Sequence, residues 1–304
     1  MTIKVAVVQD APVFFDKEAT LKKVETITTQ YASGGCELIV FPESFIPGYP
    51  RGFSFGATIG SRSDEGRQHY ADYYNNSFDL ESDDLPRLET LSKEQNIYIV
   101  IGVTERQEKN GSLYCSMLYL SPTKGLLGVH RKIKPTGTER LVWAEAGAES
   151  LVTFDTKIGK LGGLICWEHL MPLARNAMYE NGVQILAAPT WDKSPNWLLS
   201  MQSNAREGGV FIISCCMALK MDDIPDEYDF KKLYPEGREW INSGNSCIVA
   251  PNGKIIAGPM EAENGLLYAE INLNDIIASK RMFDVVGHYA RPDVFEFKVK
   301  SNFD

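Results

Sequence analysis

A five-residue apolar run, Leu161-Gly-Gly-Leu-Ile165, stops at Cys166, and apolar residues at helical spacing follow at once: Leu170, Leu173, Ala174, Ala177 and Met178. Strand, sharp turn and helix in that order build sheets that helices cover, and the unit recurs along the chain. Residues 3–8 read as a strand, and Asp16 offers an N-cap to a helix over 17–32. Gly34-Gly35 ends that helix before a second strand at 37–41. Helical patterns return over 64–75 and 85–94, ahead of a strand at 97–103. Residues 112–120 and 126–132 predict an antiparallel hairpin, and so do 151–154 and 161–165. A strand at 183–188, a helix at 196–207 and a strand at 210–215 restore the alternation. Further β-structure is expected at 247–250 and 266–271, beyond a turn at Asn252-Gly253.

These elements predict an α/β protein with mixed sheets, each covered by helices on one side, and a second sheet stacked on the first to absorb the surplus strands. No repeat, low-complexity tract or linker divides the chain, so residues 1–304 are expected to form a single domain, with a short tail from about 294.

Charge and composition exclude several functions. There are 31 basic and 40 acidic residues, a net charge of −9, and no basic run beyond pairs such as Arg131-Lys132. A nucleic-acid-binding stripe is therefore not expected. No window approaches the roughly 18 continuous apolar residues of a membrane span. The first residues enter a strand without the pattern of a secretory leader, so a cytoplasmic location is expected. Six cysteines without a Cys-x-x-Cys pair do not suggest a disulfide scaffold. Four histidines without His-x-x-x-His spacing, and no glycine-rich phosphate loop, lead us to expect no metal or organic cofactor.

Three residues can carry chemistry. Cys166 stands where a strand turns toward a helix, a place expected to favour the thiolate and lower its pKa through the helix dipole. Glu43, in Phe41-Pro-Glu-Ser-Phe45, follows an apolar strand, and its apolar collar should raise its pKa toward that of a general base. A lysine in His130-Arg-Lys-Ile-Lys-Pro-Thr136 brings a cation to a strand end, but Lys132 and Lys134 are two apart and periodicity does not choose between them. Taken singly, these have ordinary readings: a small core thiol, a solvated loop carboxylate and a basic strand end.

In combination the three stretches resemble the nitrilase, or carbon–nitrogen hydrolase, superfamily. Thr138-Glu-Arg-Leu-Val-Trp143, Ile165-Cys-Trp-Glu168 with Met171-Pro-Leu-Ala-Arg175, and the stretch from Val285 to Asp293 match its true nitrilase branch. The resemblance implies a four-layer α–β–β–α sandwich and hydrolysis of a nitrile, by water, to a carboxylic acid and ammonia through a cysteine-bound thioimidate and thioester. It implies Cys166 as nucleophile, Glu43 as general base, Lys132 rather than Lys134 as the stabilising cation, and Glu139 as a second glutamate beside them. It also implies a homo-oligomer, a dimer or larger. Tyr49, Trp167 and Trp191 are expected to shape the pocket, an aromatic lining suited to arylaliphatic or medium aliphatic nitriles.

The chain departs from that branch in Trp143-Ala-Glu-Ala-Gly-Ala148, which is poorer in glycine, in His169 after Cys166, and in ending at Asp304, without a long tail. An amidase or carbamoylase of the same superfamily, and a catalytically silent binding protein on the same fold, remain the alternatives.

Overall fold

The computed structural model describes residues 2–226 and 228–300, so the last four residues of the expected tail lie outside the described residues. Strand β1 (Thr2–Gln9) leads into helix α1 (Lys17–Ala32), whose N-cap Asp16 accepts a hydrogen bond from the Ala19 N–H at 2.9 Å. Strand β2 (Leu38–Val40) follows, then a small ribbon of β3 (Ala57–Thr58) and β4 (Ser61–Arg62). Helix α2 (Asp64–Asn76), strand β5 (Phe78–Asp79) and helix α3 (Asp84–Gln95) precede a meander of β6 (Tyr98–Arg106), β7 (Leu113–Ser121) and β8 (Gly125–Arg131).

The second half opens with a hairpin of β9 (Thr153–Thr156) and β10 (Gly159–Gly163). Helix α4 (Pro172–Glu180), strand β11 (Ile185–Thr190), helix α5 (Pro195–Gly208) and strand β12 (Phe211–Cys216) come next. Strands β13 (Ala218–Lys220), β14 (Trp240–Val249), β15 (Ile255–Glu261) and β16 (Gly265–Asn272), and helix α6 (Asn274–Lys280), complete the order.

Two seven-stranded sheets result. One runs β16-β1-β2-β6-β7-β8 with β5 beside β6, and the other runs β13-β14-β12-β11-β10-β9 with β15 beside β14. Strands β1, β2 and β6 are parallel, as are β10, β11 and β12, and every other pairing within the two sheets except β5 with β6 is antiparallel. Alternation along the strands sorts the core into three layers. Val5, Val7, Val40, Val100 and Met117 meet Leu161, Ile185, Ile213 and Ile248 between the sheets. The opposite faces pack against helices, with Ile39 and Ile99 near Leu21 and Leu88, and Leu186 and Ile212 near Met178 and Met201. The architecture is therefore the expected four layers, helix, sheet, sheet and helix.

Two expectations are corrected. The helix after Cys166 does not begin there: residues Cys166–Leu170 form a 3-10 turn, and α4 starts at Pro172, where proline has no N–H to waste in the first helical turn. Strand β14 extends well beyond the expected 247–250, through Asn242, Ser243, Asn245 and Ser246. Its polar residues hide it from a hydrophobicity pattern because they bond to other strands and loops. Gln9 Oε1 accepts from the Asn245 and Ser246 N–H groups at 3.0 and 2.9 Å, and Asn242 Nδ2 donates to Trp191 O at 2.7 Å.

Gly102 on β6 fixes how closely this strand can approach the turn that carries Glu43. A Cβ at position 102 would lie 2.2 Å from Pro42 O and 2.8 Å from Glu43 Cα. Gly102→Ala should destabilise the protein by about 1–3 kcal/mol, the usual cost of overpacking. It should also lower turnover by displacing Glu43. Denaturant unfolding and a turnover assay of the variant test this, and wild-type values in both would contradict it.

Candidate active site

The carboxyl ends of β2, β8, β10 and β11 lead into one site, as parallel strands in an open sheet favour. Glu43 sits in the turn after β2, and that turn is tied to β6 by the Phe45 N–H to Gly102 O bond of 2.8 Å. Lys132 is the first residue past β8, its N–H still bonded to Cys115 O at 2.8 Å. Cys166 follows β10 by three residues, Thr190 ends β11 and Trp191 comes directly after it.

Lys132 joins these ends. Its ammonium donates to Glu43 Oε1 and to Glu139 Oε2, both at 2.8 Å, and neither its side chain nor that of Glu43 reaches solvent. Every remaining oxygen of the two carboxylates is also occupied. Glu43 Oε2 accepts from the Trp191 N–H at 2.9 Å, and Glu139 takes the Tyr49 hydroxyl at 2.7 Å and the Thr136 N–H at 2.6 Å. Lys134, by contrast, is half exposed and pairs with Glu145.

Electrostatics follow from burial. Burial alone would lower the Lys132 pKa, but the negative charge of Glu43, with that of Glu139 beside it, outweighs it and holds the ammonium well above its usual range. Burial raises the Glu43 carboxyl, and Glu139 adds to this, while Lys132 and the Cys166 side chain pull it down without reversing the shift. This is the direction expected from its apolar setting. The expectation for Cys166 is reversed. Burial, then the negative charge of Glu43, pushes its thiol up to about 12. No α-helix begins at Cys166 to offset this, and the charge of Lys132, then the Thr190 hydroxyl 3.2 Å from the sulfur, supply only partial relief. These shifts favour the neutral thiol over the thiolate. The Cys166 backbone is left-handed, with φ 51°, a conformation that costs a non-glycine residue about 1–3 kcal/mol and is retained where function requires it.

Cys166 and Glu139 reach a cavity of about 710 Å³, and Glu43 and Lys132 sit behind them. Tyr49, Trp167 and Trp191 all line this cavity, as the sequence suggests. Tyr49 stacks on Trp191 with ring centroids 4.5 Å apart, and Trp167 donates its indole N–H to Asp192 at 2.9 Å. His169 lies elsewhere: it is fully buried, bonded to Leu164 O at 2.8 Å, and kept neutral by burial, which lowers its pKa to about 4.

Sequence reasoning overlooked a pair that holds the site together. The fully buried Glu168 carboxylate accepts from the Ile165 N–H at 2.6 Å and the Ile133 N–H at 2.7 Å, and it meets His130 Nε2 at 2.7 Å. It thus staples the residue before Cys166 to the residues on either side of Lys132, across the two sheets. Burial acts against both charges, yet their mutual attraction lowers the Glu168 pKa and raises that of His130. Both stand in stretches that carry the resemblance, His130 two residues from Lys132 and Glu168 two from Cys166, but nothing in the sequence pairs them.

Residues 4–281 match the carbon–nitrogen hydrolase family. The chain is 40% identical to Nitrilase 1 of Arabidopsis thaliana over 305 residues, covering 99% of this chain and 88% of that protein. It is 41% identical to an aliphatic nitrilase of Sinorhizobium fredii (strain HH103), covering 97% of this chain and 95% of that one. Among solved structures it resembles Saccharomyces cerevisiae Nit3, a member of branch 10 of the nitrilase superfamily, with a TM-score of 0.74 and 21% identity over 95% of this chain and 97% of that chain. That structure shares the α/β sandwich of mixed sheets.

The staple predicts a pH dependence. The raised His130 pKa gives stability that is complete below its usual 6.5 and lost as pH rises through the folded-state value. The lowered Glu168 pKa gives stability that is present above its usual 4.5 and lost as pH falls through the folded-state value. Glu168→Gln should cost about 3–5 kcal/mol, as breaking a buried pair does, and the loss should be largest between those two usual values. Unfolding free energies of both proteins across pH test this, and a loss independent of pH would contradict it.

Proposed function

The chain belongs to the carbon–nitrogen hydrolase family, and we propose that it is a nitrilase that converts an organic nitrile and water to a carboxylic acid and ammonia. The observation that carries this reading is the ammonium of Lys132 held between Glu43 and Glu139 beside a thiol that opens onto an aromatic-walled cavity. Full-length likeness to nitrilases favours it over the amidase and carbamoylase alternatives, and the intact Glu43, Lys132 and Cys166 set argues against a silent binding protein.

Each step is assigned to a group of this chain. The thiol does not ionise at rest, so its proton leaves as the Cys166 sulfur attacks the nitrile carbon, and Glu43, whose pKa is raised, accepts it. The C≡N bond becomes a C=N bond, and Glu43 returns the proton to the nitrogen, giving a thioimidate. Lys132 and the Trp167 backbone N–H stabilise the charge that develops there. Glu139, which faces the cavity, activates a water that adds to the carbon. Glu139 passes the water's proton to the nitrogen, and the hydroxyl proton follows as the carbon–nitrogen bond breaks, so ammonia departs and leaves a thioester. A second water adds to it, the carbon–sulfur bond breaks, and the acid departs as a proton of that water returns to the sulfur. No step needs an oxidant or a reductant.

Among the described residues no helix is long and apolar enough to cross a membrane. We take the protein to work in the cytoplasm as a homo-oligomer, in line with the sequence expectation.

Ammonia release from aliphatic, aromatic and arylacetonitriles, each beside its matching amide, tests the reaction. Nitriles should release ammonia and Cys166→Ala should release none. Release from amides alone would assign the same residues to amide hydrolysis. Lys132→Met should lower turnover by about two to three powers of ten, as removal of an oxyanion-stabilising donor does.

A further inference from the structure

The rim of the catalytic cavity carries three cations that nothing in the mechanism uses. Arg51, Lys193 and Arg238 line the same cavity as Cys166, and both arginines are exposed whereas Cys166 is 4% exposed, so the cations lie toward its mouth. Tyr234 gathers the two arginines: its hydroxyl accepts from Arg51 Nε at 2.8 Å, and its ring lies under the Arg238 guanidinium, 5.2 Å from the centroid. Arg238 Nε donates to Trp240 O at 2.7 Å. Each guanidinium is thus anchored by its inner nitrogen, which leaves the terminal fork free to face a planar anion.

None of the three cations forms an ion pair among the described residues. By contrast Arg87, Arg106, Arg131 and Arg175 each hold a carboxylate. In a chain of net charge −9, counter-charges are not scarce. Three carboxylates share the lining and none forms an ion pair with these cations: Glu139 is taken by Lys132, and the other two are engaged in part elsewhere. Asp192 uses its oxygens on the Trp167 indole and the Ser194 N–H, at 2.9 and 2.8 Å, and Glu261 lies 3.5 Å from the Ser243 hydroxyl. Lys193 also feels its neighbours: burial, then the charge of Arg238, lowers its pKa, with Arg51 adding to this and Glu261 opposing it without reversing the shift. Like charges held together without a partner are a cost that an arriving anion would remove.

The geometry points to a carboxylate site at this mouth: the preferred substrates are nitriles that carry a carboxylate at the end remote from the cyano group, met by Arg51, Arg238 and Lys193. The inference rests on the nitrile reading for its reaction but not for its recognition of charge. It moves the substrate class away from the neutral arylaliphatic nitriles that the aromatic walls alone suggest. Those walls would hold the chain between the two ends.

Two comparisons test it together in wild type and in the triple variant Arg51→Gln, Lys193→Gln, Arg238→Gln. The first is kcat/KM for an ω-cyano carboxylate against its methyl ester. Wild type should favour the acid by about tenfold or more, as charge-assisted bonds to a rim anion would give, and the preference should vanish in the variant. The second is alkylation of Cys166 by iodoacetate against iodoacetamide, read on the Cys166 peptide by mass spectrometry. The ratio of the anionic to the neutral reagent should fall by a similar factor in the variant, and in wild type it should fall with added salt. Equal handling of acid and ester by wild type, or a selectivity unchanged by the three substitutions, would overturn the proposal. If neither nitrile is hydrolysed, the reaction and the substrate class fail together, and the alkylation ratio still decides whether the mouth selects anions.

Discussion

One buried ammonium sets the terms for the whole site. Lys132 stands 2.8 Å from a carboxylate oxygen of Glu43 and from one of Glu139, without contact with solvent. Two carboxylates and one ammonium leave this group with one excess negative charge when all are ionised. Ionising Cys166 beside it would add a second in a region of low polarity, which is why the thiol keeps its proton. The site trades a ready thiolate for a base able to take the proton only as the carbon–sulfur bond forms. Such an arrangement slows oxidation and alkylation of the cysteine at rest.

A cluster of this kind demands rigid support, because an ångström of drift would separate donors from acceptors. The two sheets supply it. Glu43 and Lys132 come from the first, and Cys166 and Trp191 from the second. The Glu168 carboxylate spans the divide by holding backbone N–H groups beside Lys132 and beside Cys166. Gly102 permits the β6 strand to lie against the Glu43 turn. Gln9 binds the end of β1 to β14. Each tie is a polar contact buried between elements, where an unmade bond is costly and a made one fixes position.

What could be read from the sequence follows from what the residues there do. Apolar alternation exposed the strands of the core, including the meander and the hairpin before Cys166, and the Asp16 cap marked the start of α1 within a residue. Strand β14 escaped because its inward side chains are polar and satisfied by partners distant in sequence. The turn at Cys166 passed for a helix start because Glu168, Leu170 and Leu173 keep helical spacing through a 3-10 turn. The chemical residues were legible as types at strand ends, yet the choice of Lys132 over Lys134 needed family resemblance or geometry. The thiol's state was misjudged, since a local rule about helix termini cannot see Glu43, which is 123 positions away yet touches the same site. His130 and Glu168 stand in stretches that carry the resemblance, but nothing in the sequence pairs them, and the three rim cations have no motif at all; only the folded chain brings each group together.

The measurement that bears most directly on this account is the ultraviolet thiolate absorbance of Cys166 across pH, taken as wild type minus Cys166→Ser. The account predicts no thiolate from Cys166 near neutral pH, its ionisation well above the ordinary thiol value of about 8.5, and a shift to lower pH in Glu43→Gln, where the opposing charge is gone. A thiolate already present at neutral pH, or an ionisation indifferent to Glu43, would contradict it.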